Sequence, residues 1–340
     1  MVGAGLAGLA CARTLADRGL SVTVFDKGRT PGGRATSRGG GGRWVAGGRV
    51  FDHGAQFFTA RGEWLSSRLL AWEEEGVVAR WSPRVAAAAA SAGSRASSAT
   101  AASPSEAWWV GVPRMGALAA CLARGLDVRL EAPVSALARS GEVWSLTHGV
   151  AGAAAVHHAD ALVLAVPAAQ CVALLERVSA EASVLREVAS VVQTPCWAVM
   201  VSLRGGEPVG ADVVEDREGV VAWAAREGSK PGRVVPPGED MWTLHASTSW
   251  SEAHLEDSPE SVRDVLTSAF VERHVRGAVT VVHAKAHRWR FARGSASSAP
   301  CGALFDASSA LAVCGDWLES ARVEGALASG VAAAARILGE

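Results

Sequence analysis

The distribution of hydrophobic and polar residues along the chain predicts where strands and helices lie. Residues 161–166 are all apolar, which is typical of a strand buried on both faces. After Ser258 and Pro259, apolar residues recur every three or four positions. This spacing predicts a helix that begins with a serine cap and a proline in its first turn. Its apolar residues are Val262, Val265, Leu266, Ala269 and Phe270.

The same criteria place elements along the rest of the chain. Helices are predicted at 9–18, 115–124 and 323–338, and strands at 20–25, 108–112, 127–130, 143–147, 196–203, 241–246, 279–283 and 311–314. Strands and helices alternate at both chain ends, and strands predominate between them. This order predicts an α/β fold (α+β overall), with a Rossmann-type domain built from both ends and a mixed-sheet substrate domain inserted into it.

The predicted domain boundaries follow from that order. The Rossmann-type domain is expected to comprise residues 1–70, 112–168 and 280–340, and the substrate domain residues 71–111 and 169–279. Residues 85–103 are almost all Ala and Ser, which predicts a low-complexity loop. The strand expected before Gly3 needs about 5 residues, but only Met1 and Val2 precede it. We therefore expect that the sequence begins inside this strand and that any targeting peptide lay upstream.

Composition and charge narrow the class of protein. The 340 residues carry a net charge of -1, so nothing attracts the chain as a whole to nucleic acid or to a membrane surface. No uninterrupted apolar stretch reaches about 18 residues, so we expect no membrane span. The six cysteines are scattered without a Cys-x-x-Cys pair, which is typical of buried thiols in a reducing compartment. We expect a cytoplasmic protein, or a plastid one if a transit peptide is missing.

A glycine-rich turn at the start of the chain carries the clearest chemical signal. Residues 3–8 read Gly-Ala-Gly-Leu-Ala-Gly and are followed by a predicted helix, a strand and then Asp26. Glycines let the backbone approach a pyrophosphate at a helix N-terminus, and the carboxylate can accept hydrogen bonds from a ribose. The sequence therefore predicts a dinucleotide site.

Five further segments add to this signal. Gly32-Gly33-Arg34 could line a phosphate, residues 51–61 place small residues among polar and aromatic ones, and the backbone of residues 132–137 could meet an adenine edge. Residues 287–292 read His-Arg-Trp-Arg-Phe-Ala. Near the C-terminus, Gly315-Asp316 ends a strand and a helix begins after Arg322. Its N-terminus suits a flavin, because reduction places negative charge on one edge of the flavin ring.

Together these segments resemble the flavin amine-oxidase-type FAD enzymes and, more narrowly, the renalase family. The narrower resemblance rests on residues 51–61, 110–118, 195–198, 245–251 and 287–292. It spans nearly the whole chain apart from the Ala/Ser segment. Arg114 departs from the family pattern, which has Gly at that position. The resemblance implies an amine-oxidase-like fold whose Rossmann-type domain binds FAD non-covalently.

The resemblance also implies which residues bind FAD. The pyrophosphate would lie against the glycine turn and Arg34, and the adenosine against Asp26 and Val134. The ribityl-phosphate side would lie against Asp316, and the pyrimidine end of the ring against the helix start at 322–325. The full set is Gly3, Ala4, Gly5, Gly8, Asp26, Lys27, Gly33, Arg34, Gln56, Val134, Gly315, Asp316, Arg322, Val323, Glu324 and Gly325.

Renalase-like enzymes oxidise 2- or 6-dihydro isomers of NAD(P) by hydride transfer to flavin N5, and O2 reoxidises the flavin to give H2O2. This chemistry depends more on orientation than on acid–base groups. Candidates for shaping the substrate pocket are His53, Gln56, Trp250, Trp289 and Trp317. Core packing is as good an explanation for any single Trp, and a hydrogen-bonded structural role is the better explanation for His53.

Several alternatives stay open. The chain could be a flavin amine oxidase or a desaturase acting on an apolar polyene, a flavin-binding protein without turnover, or an NAD(P)-binding protein, although the Gly315-Asp316 segment argues against the last. Lys285 is predicted to be a surface lysine rather than a flavin partner. His157-His158 is predicted to lie in a loop, and no metal site is expected. The expected partners are a small-molecule substrate and O2, and the oligomeric state is left open.

Overall fold

The fold is described from a computed structural model, which covers residues 1–39, 48–87, 106–149, 153–178, 182–216, 218–294 and 301–340. Within these residues the helices are α1 (Leu6–Asp17), α2 (Glu63–Glu74), α3 (Gly116–Ala123), α4 (Ala168–Leu175), α5 (Ala182–Ala189), α6 (Thr248–Ala253), α7 (Pro259–His274) and α8 (Val323–Leu338). Short 3-10 turns occur at Gly33–Ala35, Glu227–Ser229 and Asp316–Leu318.

The strands in the same residues are β1 (Thr23–Phe25), β2 (Arg38–Gly39), β3 (Val50–Phe51), β4 (Val78–Trp81), β5 (Val85–Ala87), β6 (Trp108–Gly111), β7 (Asp127–Arg129), β8 (Val134–Ser140), β9 (Val143–His148), β10 (Ala155–Ala159), β11 (Leu162–Leu164), β12 (Gln193–Glu207), β13 (Val213–Glu215), β14 (Val221–Arg226), β15 (Glu239–Ala246), β16 (Arg276–Gly294), β17 (Leu304–Asp306) and β18 (Leu311–Val313).

A parallel sheet forms the Rossmann-type part of the fold. Strand β1 pairs in parallel with β7, and β11 pairs in parallel with β18, which has β17 as its antiparallel neighbour. The two halves meet at Val2, which forms parallel bridges to Phe25 and Leu164. The first strand of the sheet is therefore present as one short segment in the central position. Apolar residues of β11 and β18 are fully buried, as expected for strands covered on both faces.

A second, six-stranded sheet has the order β16-β12-β15-β14-β13-β5. Its pairs are antiparallel except for β13 with β5. Helix α7 packs Val262, Leu266 and Phe270 into the core of this sheet, as predicted, with Ala269 partly buried against them. Val265, which was predicted on the same apolar face, is instead 44% exposed. Strand β16 continues in the sheet to Gly294, beyond the boundary predicted at residue 280. The domain boundaries stay a prediction.

The glycine turn and the C-terminal helix pack closely in the core of the Rossmann-type part. Helix α8 has the predicted bounds, and a Cβ on its Gly330 would lie 2.1 Å from the backbone oxygen of Ala7. The predicted mixed helix and strand fold is confirmed. Two further local predictions are wrong: His157 and His158 lie in β10 rather than a loop, and residues 85–87 form β5. The rest of the predicted low-complexity loop, residues 88–103, lies outside the described residues.

Candidate functional site

A cavity of about 1430 Å³ opens between the parallel sheet and the six-stranded sheet. The residues that follow β1, β11 and β18 all line it: Asp26 and Lys27, Ala165 and Val166, and Gly315 and Asp316. Ligands of open α/β sheets bind outside the carboxyl ends of the parallel strands. The cavity therefore occupies the position in which a nucleotide cofactor is expected.

The glycine turn forms one wall of this cavity. Gly3 has φ +104°, and a Cβ on Gly8 would lie 2.0 Å from the backbone oxygen of Gly3, so larger residues would force the turn open. Gly5, Leu6 and Ala7 line the cavity, and no side chain caps α1. The amides of its first turn are therefore available to an anion, as a pyrophosphate site requires.

Asp26 fixes the geometry of the adjoining turn. Its carboxylate accepts hydrogen bonds from the backbone N–H groups of Ala4 and Gly28, both at 2.6 Å. Each carboxylate oxygen has a further acceptor site, so Asp26 can also accept from a ribose hydroxyl. Lys27 lines the cavity beside it, and Val134 lines the same end at the start of β8.

Arg34 and Asp316 form a bidentate ion pair at the middle of the cavity. The two N···O distances are 2.5 and 3.1 Å, and Arg34 also donates to the backbone oxygen of Ala292 at 3.0 Å. Two 3-10 turns carry these side chains, which brings together residues from opposite ends of the sequence. A charged pair of this kind can bind the polar linkage of a dinucleotide, because it offers both donors and acceptors.

The start of α8 contributes to the same wall. Arg322 and Val323 line the cavity, and no side chain caps this helix. Glu324 does not line the cavity: it accepts hydrogen bonds from the backbone N–H groups of Arg61 and Gly62, at 2.6 and 2.5 Å. Some of the remaining predicted cofactor residues line the cavity and others do not. Gly33, Gln56 and Gly315 line the cavity, whereas Ala4, Gly8 and Gly325 lie behind its surface.

The far end of the cavity is formed by one face of the six-stranded sheet. The strand register aligns Trp223 with His245, His245 with Ala198, and Ala198 with His287. Ala198 is fully buried, and the other three side chains line the cavity. The rings of Phe57 and Trp108 stack with centroids 3.9 Å apart and planes inclined by 14°. Their centroids lie 5.6 and 5.8 Å from that of Trp223. This end can therefore accept a flat or apolar group.

The pocket candidates from the sequence divide between the cavity and the core. Gln56, Trp289 and Trp317 line the cavity. His53 is only 2% exposed and lies behind Trp289, which donates to its backbone oxygen at 2.9 Å. Trp250 lies on α6, stacked on His254, and does not line the cavity. The structure thus brings three of the five candidates to the cavity.

The histidines at this end of the cavity are uncharged at neutral pH. Burial and the nearby Arg293 lower the pKa of His245 to about 4. Burial and Arg38 lower the pKa of His287 to about 4. Burial also holds the pKa of His53 well below its usual value. None of these rings is suited to hold a proton before the reaction, so they can donate and accept hydrogen bonds only as neutral imidazoles.

A buried cluster of four charged side chains supports the loop that carries Gln56. Lys230, whose side chain is fully buried, donates to Gln56 Oε1 at 3.0 Å, Glu227 Oε2 at 2.9 Å and Asp52 Oδ2 at 3.3 Å. Arg233 also donates to Asp52. Burial alone would raise the pKa of Asp52, but Lys230 and Arg233 hold it at about 2. All three N–H groups of the Lys230 ammonium donate within the cluster, so Lys230 serves to position its neighbours.

None of the chain's three lysines lies at the far end of the cavity. Lys27 is at the Asp26 end, Lys230 is enclosed in the buried cluster, and Lys285 does not line the cavity. In the described part of the chain, no three His, Cys, Asp or Glu side chains are grouped as a metal site would require. None of the described helices is long and apolar enough to cross a membrane.

The residues of the far end were not predicted as site residues. His287 and Trp289 are two positions apart on one strand, so they share a face, and this signal could have identified His287. His245, Trp223 and Trp108 reach the cavity through strand register, which has no local signature in the sequence. The buried cluster also has no local signature in the sequence, because Lys230 and Arg233 lie in a polar segment that is typical of a surface loop.

Comparisons with known proteins agree with this architecture. Residues 1–70 match a family described as an NAD(P)-binding Rossmann-like domain. Cyclohexylamine oxidase from Brevibacterium oxydans IH-35A is similar over 99% of this chain and 97% of its own, with a TM-score of 0.71 and 14% identity. A putative protoporphyrinogen oxidase from Exiguobacterium sp. 255-15 covers 100% of this chain and 98% of its own, with a TM-score of 0.72 and 13% identity.

A putrescine oxidase, solved with putrescine bound, is also similar in fold. It covers 100% of this chain and 98% of its own, with a TM-score of 0.65 and 14% identity. At these identities the similarity establishes the fold. The predicted amine-oxidase-like architecture is therefore confirmed over the whole length of the chain.

Proposed function

We propose that this protein is an FAD-dependent oxidoreductase that oxidises dihydronicotinamides, the 2- or 6-dihydro isomers of NAD(P), and passes the electrons to O2 to give H2O2. The observation that carries the proposal is one continuous cavity. It runs from the uncapped N-terminus of α1 and the carboxylate of Asp26 to the face of the six-stranded sheet that carries Trp223, His245 and His287. The first part suits a dinucleotide, and the second suits a flat ring.

The described residues fit a non-covalently bound FAD. The amides of the first turn of α1 would hold the pyrophosphate, Asp26 the ribose, and the Arg34–Asp316 pair the polar linkage. The N-terminus of α8, with Arg322 and Val323 at the cavity wall, would stabilise negative charge on the ring edge. When bound, FAD would supply the two-electron chemistry, and the protein would supply orientation and exclude water.

The far end of the cavity supports a hydride donor that needs no base. His245 and His287 are neutral, and none of the lysines lines the cavity at this end. Removing a hydride from a dihydronicotinamide restores an aromatic ring without removing a proton from nitrogen, so orientation is the main requirement. Phe57, Trp108 and Trp223 offer flat apolar surface for that ring.

Amine oxidation is the second candidate. Glu106 lines the cavity beside Trp108, and a carboxylate next to aromatic faces can attract an ammonium group. Two of the similar folds are those of cyclohexylamine oxidase and a putrescine oxidase. Arg61, however, forms a bidentate ion pair with Glu106. This pairing weakens the attraction for a second cation, so we place amines behind dihydronicotinamides.

The deciding experiment is anaerobic mixing of the FAD-loaded protein with 6-dihydro-NAD, 2-dihydro-NAD, cyclohexylamine or putrescine while the flavin absorption is recorded. We expect the dihydronicotinamides to bleach the flavin, and air to restore it with release of H2O2. Bleaching by amines alone would favour the second candidate. A flavin that none of these compounds reduces would overturn the proposal in favour of a non-catalytic flavoprotein.

A matched pair of tryptophans provides the control for the substrate end. Trp223 lines the cavity, whereas Trp250 lies outside it on α6. We expect Trp223→Leu to slow flavin reduction by about tenfold or more, because the ring loses part of its orienting surface. Trp250→Leu should leave the rate near that of the unmodified protein. Equal rates for the two variants would contradict the placement of the substrate at the sheet face.

A further inference from the structure

The cavity wall carries more positive than negative charge. Seven Lys and Arg side chains line it, against three carboxylates, those of Asp26, Glu106 and Asp316. The excess is four positive charges, because His245 and His287 are neutral. The phosphates of a bound FAD would offset only about half of this excess, and a cleft of one charge sign attracts ligands of the opposite sign. The wall therefore favours an anionic substrate.

Three of these cations form ion pairs. Arg34 pairs with Asp316 in the middle of the cavity. Arg288 and Arg290, on β16, both pair with Glu256 outside the cavity. A cation whose carboxylate partner is already in place offers less attraction to a ligand. These three arginines are therefore not the main source of the excess charge.

Two further cations lie close to other polar groups. Lys27 donates to Gln170 at 3.3 Å at the cofactor end. Arg322 lies near Glu106, because the pKa of Glu106 is lowered by its hydrogen bond to Arg61 and further by the charge of Arg322. Of the seven cations, two arginines then remain without a partner.

One of the two, Arg293 on β16, lies near the substrate end. In the part of the chain that the structure describes, its guanidinium has no hydrogen bond or ion pair, and residues 295–300 contain no Asp or Glu. Burial and Arg293 lower the pKa of His245 to about 4. Burial raises the pKa of the Cys196 thiol to about 11, and Arg293 opposes that rise. Such effects require proximity, so the guanidinium lies near two groups that line the far end of the cavity.

The other, Arg177, follows α4 and lies elsewhere on the wall. The residues of this helix that line the cavity include Gln170, which binds Lys27. Arg177 therefore belongs to the side of the cavity that is expected to hold the cofactor. Arg293 is the unpaired cation that a substrate at the sheet face would meet.

The backbone at Arg293 is fixed on both sides. The backbone oxygen of Ala292 accepts a hydrogen bond from Arg34 at 3.0 Å. A Cβ on Gly294 would lie 2.5 Å from the Cβ of Trp317, so the strand packs closely there. The guanidinium thus extends into the cavity from a rigid strand, which lowers the entropy cost of holding a ligand.

We propose that Arg293 binds a phosphate group of the substrate. A guanidinium can donate two parallel hydrogen bonds to a phosphate, and this phosphate would be the partner that Arg293 lacks within the described residues. A diamine would instead add like charge to the wall. The inference rests on the proposed function, in which the dihydronicotinamide ring is part of a nucleotide. The phosphate would be a second point of attachment that orients this ring.

The test measures binding rather than turnover. The FAD-loaded protein is titrated by calorimetry with nicotinamide mononucleotide and with nicotinamide riboside, which lacks the phosphate. The buffer contains no phosphate and has a fixed ionic strength, because salt screens exposed charges. We expect the mononucleotide to bind about tenfold more tightly than the riboside, and Arg293→Gln to reduce this preference to within about twofold. Equal Kd values in the unmodified protein, or no binding of the mononucleotide, would overturn the inference.

Two variants separate a direct contact from a general effect of charge. Arg293→Lys keeps the charge but loses the bidentate geometry, so we expect it to retain about a third of the preference. Arg290→Gln removes the same charge from the same strand, at an arginine that is already paired with Glu256. It should keep the preference within about twofold. An equal loss in Arg290→Gln and Arg293→Gln would show that only the overall charge matters and would overturn the inference.

A phosphate of FAD is the other group that Arg293 could contact. The rate of FAD release after dilution of the loaded protein tests this, and we expect Arg293→Gln to change it by less than about threefold. Rapid release of FAD from this variant, with the preference for the mononucleotide unchanged, would assign Arg293 to the cofactor and overturn the inference.

Failure of the proposed function gives a different result. A protein that prefers the mononucleotide through Arg293 but is reduced by no dihydronicotinamide would refute the proposed reaction and leave phosphate recognition standing. A protein that dihydronicotinamides reduce, but that shows no preference for the mononucleotide, would refute the role of Arg293 alone.

Discussion

Replacing Lys230 with Met tests whether the buried charges hold the two sheets together. The substitution removes one of two cations that face Asp52 and Glu227, while Met keeps most of the side-chain length and the packing near Trp81. Two buried carboxylates would then share Arg233 alone. Removing one partner of a buried ion pair costs about 3–5 kcal/mol, because it leaves an uncompensated charge.

The geometry of the cluster indicates a loss near the middle of that range. Lys230 donates to three acceptors between 2.9 and 3.3 Å, and its side chain is fully buried. Neither the carboxylates nor Gln56 Oε1 can recover these bonds from water. We therefore expect Lys230→Met to lower the free energy of unfolding by about 4 kcal/mol.

A second substitution should reverse part of this loss. Glu227→Gln removes one negative charge, and its amide oxygen can still accept from Thr243 and from the backbone N–H of Asp52. In the double variant, Arg233 alone balances Asp52. We expect the double variant to be more stable than Lys230→Met by about 2 kcal/mol, although Glu227→Gln alone is destabilising. This non-additivity measures the coupling between the two groups.

The assay is urea unfolding of the FAD-loaded protein at a fixed FAD concentration, because bound ligand shifts the apparent stability. Lys285→Met removes a lysine outside the cluster and should cost less than about 1 kcal/mol. The reasoning would be refuted by a loss below about 1 kcal/mol in Lys230→Met. Strictly additive effects in the double variant would refute it equally.

Three further predictions follow from the cofactor end and from the histidines. In Gly8→Ala the new Cβ would lie 2.0 Å from the oxygen of Gly3, so we expect FAD to bind at least about tenfold more weakly, and an unchanged Kd would contradict the proposed turn. Arg34→Met leaves a buried carboxylate without its bidentate partner and should cost about 2 kcal/mol in urea unfolding; stability equal to the unmodified protein would argue against it. The pKa values of His245 and His287 are about 4 in the folded protein, against 6.5 for an ordinary histidine. The unfolded chain therefore binds more protons between these pH values, and stability should be constant above pH 7 and fall by about 2 kcal/mol per histidine at pH 5. Equal urea midpoints at pH 7.5 and pH 5 would show that the pKa values of His245 and His287 are not lowered in the folded protein.

The cofactor end of the cavity could be predicted from the sequence because its signals are local. The glycine turn, Asp26 and the Gly315-Asp316 segment each combine a tight turn with the end of a strand or the start of a helix, within a few residues. The predicted bounds of α8 agree with the structure for the same reason, since small and apolar residues predominate from 323 to 338. Such patterns depend on backbone geometry that neighbouring residues determine.

The substrate end could not be predicted, because it depends on strand register. Trp223, His245 and His287 come from three strands and meet only because β14, β15, β12 and β16 align in one order and one phase. A shift of one residue in any pair would turn the side chain to the other face. The sequence contains the histidines and the strands, but it does not specify the register between strands that are far apart in the chain.

The buried cluster fixes the loop of residues 52–57 relative to this sheet. Asp52 accepts hydrogen bonds from the backbone N–H of Met115 at the start of α3, and its own backbone N–H donates to Glu227 beside the six-stranded sheet. The same loop carries Gln56 and Phe57 at the cavity wall. Each of these bonds requires one distance between the loop and the sheet, because an unpaired buried charge costs several kcal/mol. The cluster therefore helps to hold Phe57 against Trp223 of the six-stranded sheet. Lys230 does not line the cavity itself, but it donates to Gln56, which does, and it should therefore influence the orientation of the substrate through that side chain.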